Sequence, residues 1–314
     1  MPVGARQAVL DWENQVIICF ANEKGGVGKT TLAIHTATWL SRKGYRVALM
    51  DLDTQGGVSN FFRVEPADHV AELLRSVLQS PAESRPPIAS FLTPLPLDRY
   101  RNMVLIKGYT GTGEVEVWLR QLDGSRPGQV LAEAVAPLTR RGAIVVVDSG
   151  PFAGKLQEAA LETANHVLVP AIPEGATEAG ILKIAQRLHQ LNRAITGLIP
   201  TRIVVTSKKH RETILDWREA NGLGPLVYHD PPRGLVGLPQ RVIWAQLYRA
   251  AKPIWDVAPQ EVEASHASLT MAQHEMAAVL ERMAFDTGLS TCHKTSSDTG
   301  SIARRRTAIT NPSS

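Results

Sequence analysis

Two lysines, Lys24 and Lys29, bracket a glycine-rich stretch, Lys24-Gly25-Gly26-Val27-Gly28-Lys29-Thr30-Thr31. These residue types at this spacing bind phosphate. Gly25, Gly26 and Gly28 let the backbone curl so that its N–H groups converge on phosphate oxygens. Lys29 is placed to meet the β- and γ-phosphates of a nucleotide, and the Thr30 hydroxyl to ligate Mg2+. Val27 and Thr31 complete the nucleotide-binding set. The context is the required one: an apolar run, Val16 to Phe20, leads in as a buried strand, and Leu32 to Leu40 leads out as a helix. That helix adds its positive N-terminal end to the attraction for anions.

Acids stand where metal chemistry would need them. Arg46 to Asp53 reads as a second buried strand, with Asp51 and Asp53 at its end. Ala143 to Asp148 reads as a third, apolar until Asp148. Ligands of open parallel sheets bind at the C-terminal edge of the strands. Asp148 is therefore a candidate acceptor for the water shell of Mg2+, beside the Thr30 hydroxyl.

The elements that must position these residues alternate along the chain. Helices are expected over 67–79, Glu114–Leu122, Pro127–Arg140, Glu174–Asn192, 212–220, Leu238–Ala250 and Glu261–Met283. Further strands are expected at Met103–Ile106, His166–Pro170, Arg202–Thr206 and Leu226–His229. Residues 80–98 carry five prolines and read as a loop, and Ser207 to Arg211 as a short basic loop opening a helix. Strand and helix in alternation predict an α/β fold, a mostly parallel sheet with helices on both faces. The organisation expected is a short lead-in at 1–14, one phosphate-binding α/β domain at 15–285, and a flexible Ser/Thr/Arg-rich tail at 286–314 with Arg304-Arg305-Arg306.

Composition narrows the class. A 44% hydrophobic fraction over 314 residues suits a globular α/β protein. No apolar run has membrane-spanning length, and Met1 to Asn14 does not resemble a secretory signal, so a cytoplasmic protein is expected. The two cysteines, Cys19 and Cys292, form no CxxC pair, which argues against zinc, a disulfide framework or an iron–sulfur cluster. Net charge is +4, so placement of the cations matters more than their total.

Lys24 is the residue that an ordinary phosphate loop does not need. With it, Lys-Gly-Gly-Val-Gly-Lys-Thr-Thr resembles the deviant Walker A loop of the ParA/MinD superfamily, and Asp51-Leu52-Asp53-Thr54-Gln55-Gly56 resembles that family's Asp-x-Asp-Pro-Gln-Gly segment. The resemblance covers roughly residues 15–255. It implies a P-loop NTPase fold, ATP and Mg2+ as ligands, slow partner-stimulated ATP hydrolysis, and a homodimer formed on ATP binding. Lys24 would reach the partner's phosphates, Asp53 would hold the attacking water, and Asp51 would support the Mg2+ shell and the loop lysine. Lys24, Lys29 and Asp53 are thus the implied catalytic set, and Thr206, Pro232 and Arg233 the implied lining of the base pocket. Three positions depart from the pattern: Thr54 and Gly57 replace a usual proline and asparagine, and Gly150 replaces the first proline of an Asp-x-Pro-Pro switch. All three are expected to loosen their loops.

Within the superfamily the branches differ in what they deliver. The last residues, Arg304 to Ser314, show no apolar face for a membrane. Basic residues gather late, and Lys208, Lys209, Arg211, Arg241 and Arg249 are the candidate DNA contacts; Arg211 matches a family arginine implied in that role. Such contacts would be sequence-independent and salt-sensitive. The resemblance then implies a ParA-type partition ATPase of the short form without an N-terminal helix-turn-helix, nucleoid-associated when it binds DNA, and served by a centromere-binding, ParB-like adaptor. The alternative is a ParA-like ATP switch that positions or assembles a protein complex, with DNA incidental. A nucleotide-dependent ligase or kinase is a third reading, under which Lys24 has no task.

Overall fold

The computed structural model describes residues 15–95, 100–121, 127–151, 154–175, 177–220, 222–230 and 234–289. Its strands are β1 (Ile17–Phe20), β2 (Val47–Asp51), β3 (Thr93–Pro94), β4 (Met103–Ile106), β5 (Ile144–Asp148), β6 (His166–Ala171), β7 (Gly197–Ile203), β8 (His229–Asp230), β9 (Gly234–Leu235) and β10 (Leu238–Pro239). Its helices are α1 (Lys29–Arg42), α2 (Gly57–Phe62), α3 (His69–Gln79), α4 (Thr112–Arg120), α5 (Pro127–Thr139), α6 (Lys155–Thr163), α7 (Thr177–Gln190), α8 (Lys208–Glu219), α9 (Val242–Ala250) and α10 (His266–Asp286).

Eight strands form one sheet in the order β10-β7-β6-β1-β5-β2-β4-β3, parallel except for β3. β8 and β9 make a separate antiparallel hairpin. The central strands are buried along their whole length, as expected of a parallel sheet covered on both faces. Alternation assigns the faces. Ile17 and Cys19 of β1 join the core with α3 to α8, and Ile18 and Phe20 join the core with α1, α2, α9 and α10. The first strand of the chain thus lies mid-sheet, and the loop after it opens at the sheet's C-terminal edge.

The boundaries differ from the expected ones where long-range packing decides. The strand expected at Arg202–Thr206 is Gly197–Ile203. Gly197 and Pro200 disguise it as a turn. Yet Gly197 is a packing requirement, because a β-carbon there would collide with the Tyr228 ring. Lys208 to Arg211 form the first turn of α8, not a loop, with the Ser207 hydroxyl capping the His210 N–H at 3.2 Å. Cations there oppose the helix dipole, which hid the start. The helix expected from Leu238 begins at Val242, because Leu238 and Pro239 add an edge strand to β7, a place where proline is tolerated. The strand expected at Leu226–His229 is a 3-10 turn at Gly224–Leu226, one bridge from Val227 to Leu198, and β8. The last helix starts at His266, capped by Ser265, rather than at Glu261. The proline-rich stretch includes two 3-10 turns, Ala82–Ser84 and Ile88–Phe91, and the short β3. Cys292 and the Arg304–Arg306 cluster lie outside the described residues, as does the lead-in at 1–14.

Candidate functional site

The loop from Ala21 to Gly28 is shaped by its own side chains and by β7. Asn22, buried, donates from Nδ2 to the Pro170 carbonyl at 2.7 Å and accepts from the Lys24 N–H at 2.9 Å. Gly26 and Gly28 take φ of 70° and 92°, a left-handed backbone that glycine allows without strain. On the far side, the Thr201 hydroxyl donates to the Val27 carbonyl at 2.8 Å. The loop is therefore held open between the ends of β6 and β7.

The two lysines part company. Lys29 points inward: it is 6% exposed and its Nζ donates to the Lys24 carbonyl at 3.2 Å. Burial lowers its pKa, and the nearby Asp148, Asp53 and Cys19 oppose that shift. Lys24 points outward, its side chain 42% exposed, with Nζ 2.8 Å from Oε2 of Glu174 on the loop after β6. Lys24 holds the Glu174 carboxyl below its ordinary pKa, and His210 and Arg202 add to the effect.

Strand register sets the acids. β2 and β5 run parallel with Asp51 opposite Asp148. Asp51 accepts from the Asp53 N–H on Oδ1 and from the Val58 N–H on Oδ2, each at 3.0 Å. Both of its oxygens thus hold the 53–58 loop in place. Asp53 in turn accepts from the Gln55 N–H at 3.0 Å. Asp148 is fully buried, and neither of its oxygens has a hydrogen-bond partner within normal geometry. Burial pushes its pKa up to about 7, while the neighbouring Thr30 hydroxyl and Lys29 pull it down. Burial, then Asp148, push Asp51 well above the carboxylate range. Two adjacent buried acids, one orphaned and beside a threonine hydroxyl, fit a hydrated divalent cation. Thr30 and Asp148 would hold it, with Asp51 behind them. Cys19 is buried in β1 and pushed up to about 12 by that burial, a core thiol.

The positions that depart from the family pattern have definite neighbours. A β-carbon on Gly57, the first residue of α2, would come 3.3 Å from the Thr30 side chain, so a larger residue would press on the metal-side threonine. Gly150 has room, its nearest neighbours being the Leu52 carbonyl at 3.6 Å and Asp53. Thr54 and Gly150 both border a cavity of about 230 Å3 that reaches Asp53.

A larger cavity of about 890 Å3 adjoins the loop, between Gly26–Gly28 and the segments 201–206 and 238–248. Thr206 lines it, while Pro232 and Arg233 lie outside the described residues. Sequence reasoning missed Gln240, Trp244 and Tyr248 on its wall. Their only signal was an amphipathic helix late in the chain. Behind that wall sits His35 of α1. Its Nδ1–H donates to the Thr31 carbonyl at 2.6 Å, and its Nε2 accepts from the Ile254 N–H at 3.1 Å. Its ring meets Trp244 and Trp255 edge-on.

The candidate DNA contacts do not share one face. Lys208, Lys209 and Arg211 are exposed on α8, which packs through Ile214 and Trp217 on one side of the sheet. Arg241 and Arg249 flank α9, which packs through Ile243 and Leu247 on the other. Arg241 is moreover paired with Glu275, Nε to Oε2 at 2.7 Å, and Lys208 with Glu212 at 3.3 Å.

Known proteins resemble this chain in sequence and in fold. An AAA-domain family matches residues 15–199, the part that carries the loop and all three aspartates. The chromosome partitioning protein ParA of Myxococcus xanthus is 30% identical over 184 residues, 59% of this chain and 60% of that protein. Among solved structures, an McdA variant from Cyanothece in complex with ATP superposes with a TM-score of 0.64 at 19% identity, over 83% of this chain and 97% of that one. A plasmid partition protein from Borrelia burgdorferi B31 bound to AMPPNP does so with a TM-score of 0.61 at 20% identity, over 85% and 99%. Loop, acids, sheet order and relatives agree: the chain belongs to the ParA/MinD superfamily of deviant Walker A ATPases, on its ParA-type branch.

Proposed function

We propose that this chain is an ATP-dependent, dimerising DNA-partition ATPase. It would bind DNA without sequence preference in its ATP state and segregate plasmid or chromosomal cargo. The observation that carries this reading is the division of labour between the lysines. Lys29 is inside the pocket, so it can serve the chain's own nucleotide, whereas Lys24 stands at the rim, directed away from it. An outward lysine on a phosphate loop can meet a second subunit's nucleotide once its exposed pair with Glu174 opens.

The residues then divide the chemistry of ATP hydrolysis. Backbone N–H groups of the loop and Lys29 offset phosphate charge. Asp53, fixed by the turn that Asp51 organises, orients the attacking water. A bound Mg2+ would neutralise charge developing on the β- and γ-oxygens. Thr206 and the 238–248 wall enclose the base. A centromere-binding, ParB-like adaptor stimulates turnover in this scheme.

The test is binding to random-sequence duplex with ATP, ADP or no nucleotide at several salt concentrations, alongside the oligomeric state of Asp53→Ala with ATP and Mg2+. ATP-dependent, salt-sensitive binding and a trapped dimer are expected. A strict monomer in that state refutes the ATP-bound dimer.

A second reading is a ParA-like switch that positions or assembles a protein complex, with DNA incidental. It is favoured by the distribution of Arg211 and Arg249 over opposite sides of the sheet. Charge reversal at Lys208, Lys209 and Arg211 separates the two: cargo behaviour that survives the change supports positioning.

A further inference from the structure

β7 ends in a conformation that arginine rarely adopts. Arg202 has φ of 49°, in the left-handed region where a β-carbon crowds the following carbonyl. Such strain persists only where the surroundings impose it, and it gathers at ligand sites. Here the surroundings are the phosphate loop. Thr201, one residue earlier, is buried and bonded to the Val27 carbonyl at 2.8 Å. With Thr201 fixed, the left-handed turn lays the Arg202 side chain over the loop. Its Nη1 lies 3.8 Å from where a β-carbon on Gly26 would stand.

The guanidinium is exposed and borders the 890 Å3 cavity. Among the described residues it makes no hydrogen bond or ion pair. The acid that feels its charge, Glu174, is already paired with Lys24. An arginine held by a strained backbone against a phosphate loop, with its donors unused, is suited to a bidentate anion.

We infer that Arg202 is a nucleotide-binding residue, its guanidinium supplying the phosphates of a bound nucleoside di- or triphosphate with a cation beyond Lys29. The inference rests on the reading of the loop as a nucleotide site. Arg202 acts on affinity: it covers the loop from the cavity side, while Lys29 works from within.

The experiment is titration of ADP and a non-hydrolysable ATP analogue into wild type, Arg202→Asn, Arg202→Lys and Lys29→Ala, with the melting temperature of each nucleotide-free protein. Asparagine accepts the left-handed backbone. Arg202→Asn is therefore expected to melt at or above the wild-type temperature while losing roughly ten-fold to hundred-fold in affinity for both nucleotides, the worth of a charge-assisted hydrogen bond. Arg202→Lys recovers part of the loss, because a point charge replaces the fork. Affinity within two-fold of wild type in folded Arg202→Asn overturns the inference. So does a loss of affinity that comes with a lowered melting temperature, since Arg202 would then only prop the loop. If wild type binds neither nucleotide, or Lys29→Ala binds as well as wild type, the reading of the loop itself fails. If Lys29→Ala alone loses binding, only the role of Arg202 falls.

Discussion

Acid should loosen the seam behind the nucleotide pocket through His35. The ring is fully buried, donating to the Thr31 carbonyl and accepting from the Ile254 N–H, so only the neutral tautomer satisfies both contacts. Protonation would turn Nε2 into a donor facing another donor. Burial accordingly lowers the His35 pKa to about 4, against 6.5 in an unfolded chain. Because the folded value is the lower one, the stabilisation is complete above pH 6.5 and is lost as pH falls through about 4. The whole interval is worth about 3 kcal/mol, of which about 2 kcal/mol is lost between pH 7 and pH 5. Urea unfolding of the nucleotide-free protein at pH 7 and pH 5, for wild type and His35→Asn, isolates the effect. His69 and His166, also lowered, shift stability the same way in both proteins. The raised Asp51 and Asp148 act in the opposite direction, again in both. The wild type is expected to lose about 2 kcal/mol more than the variant over this range. Equal losses would refute the buried, neutral His35.

Three further outcomes follow from the glycines and the rim. Gly150→Ala meets only ordinary contacts at Leu52 and Asp53, so it is expected to stabilise by about 0.4–1 kcal/mol in urea titrations. Gly108→Ala would drive a β-carbon into the Asp51 carbonyl. A loss of about 2 kcal/mol or more is expected by thermal melting, with weakened nucleotide binding because Asp51 anchors the 53–58 loop. Glu174→Gln releases Lys24 from its rim contact. Stability should stay unchanged, as for most exposed pairs, while sedimentation shows the ATP-bound dimer forming at lower protein concentration.

The phosphate half of the site was legible in the sequence because it is built from neighbours. Asp51 and Asp148 each end a continuous apolar run, the mark of a strand buried on both faces, and the loop follows such a run directly. The cavity side was not. Gly197 and Pro200 look like turn residues, but Gly197 packs under Tyr228 and Pro200 pairs with Ala171, neighbours that sequence does not place beside them. His35 reads as one polar residue in an amphipathic helix, but its partner Ile254 lies 219 positions away. The left-handed turn at Arg202 has no signal in residue type, because arginine is not selected for it. Local chemistry showed through; geometry imposed from a distance did not.

The place of β1 in the middle of the sheet has a consequence for biosynthesis. Ile17 is made early, yet its N–H is satisfied by Asn165, 148 residues later. At translation rates of roughly 5–20 residues per second, the strand that carries the phosphate loop waits roughly 7–30 s for its flanking strands. During that wait Ile17 to Phe20 is an uncharged apolar segment with open edges, the kind of sequence that associates with copies of itself. Nucleotide cannot shelter it, because the loop has no shape until β6 and β7 hold both of its sides. Burial of this strand and shaping of the loop it carries are thus both set by chain made much later, in β5, β6 and β7.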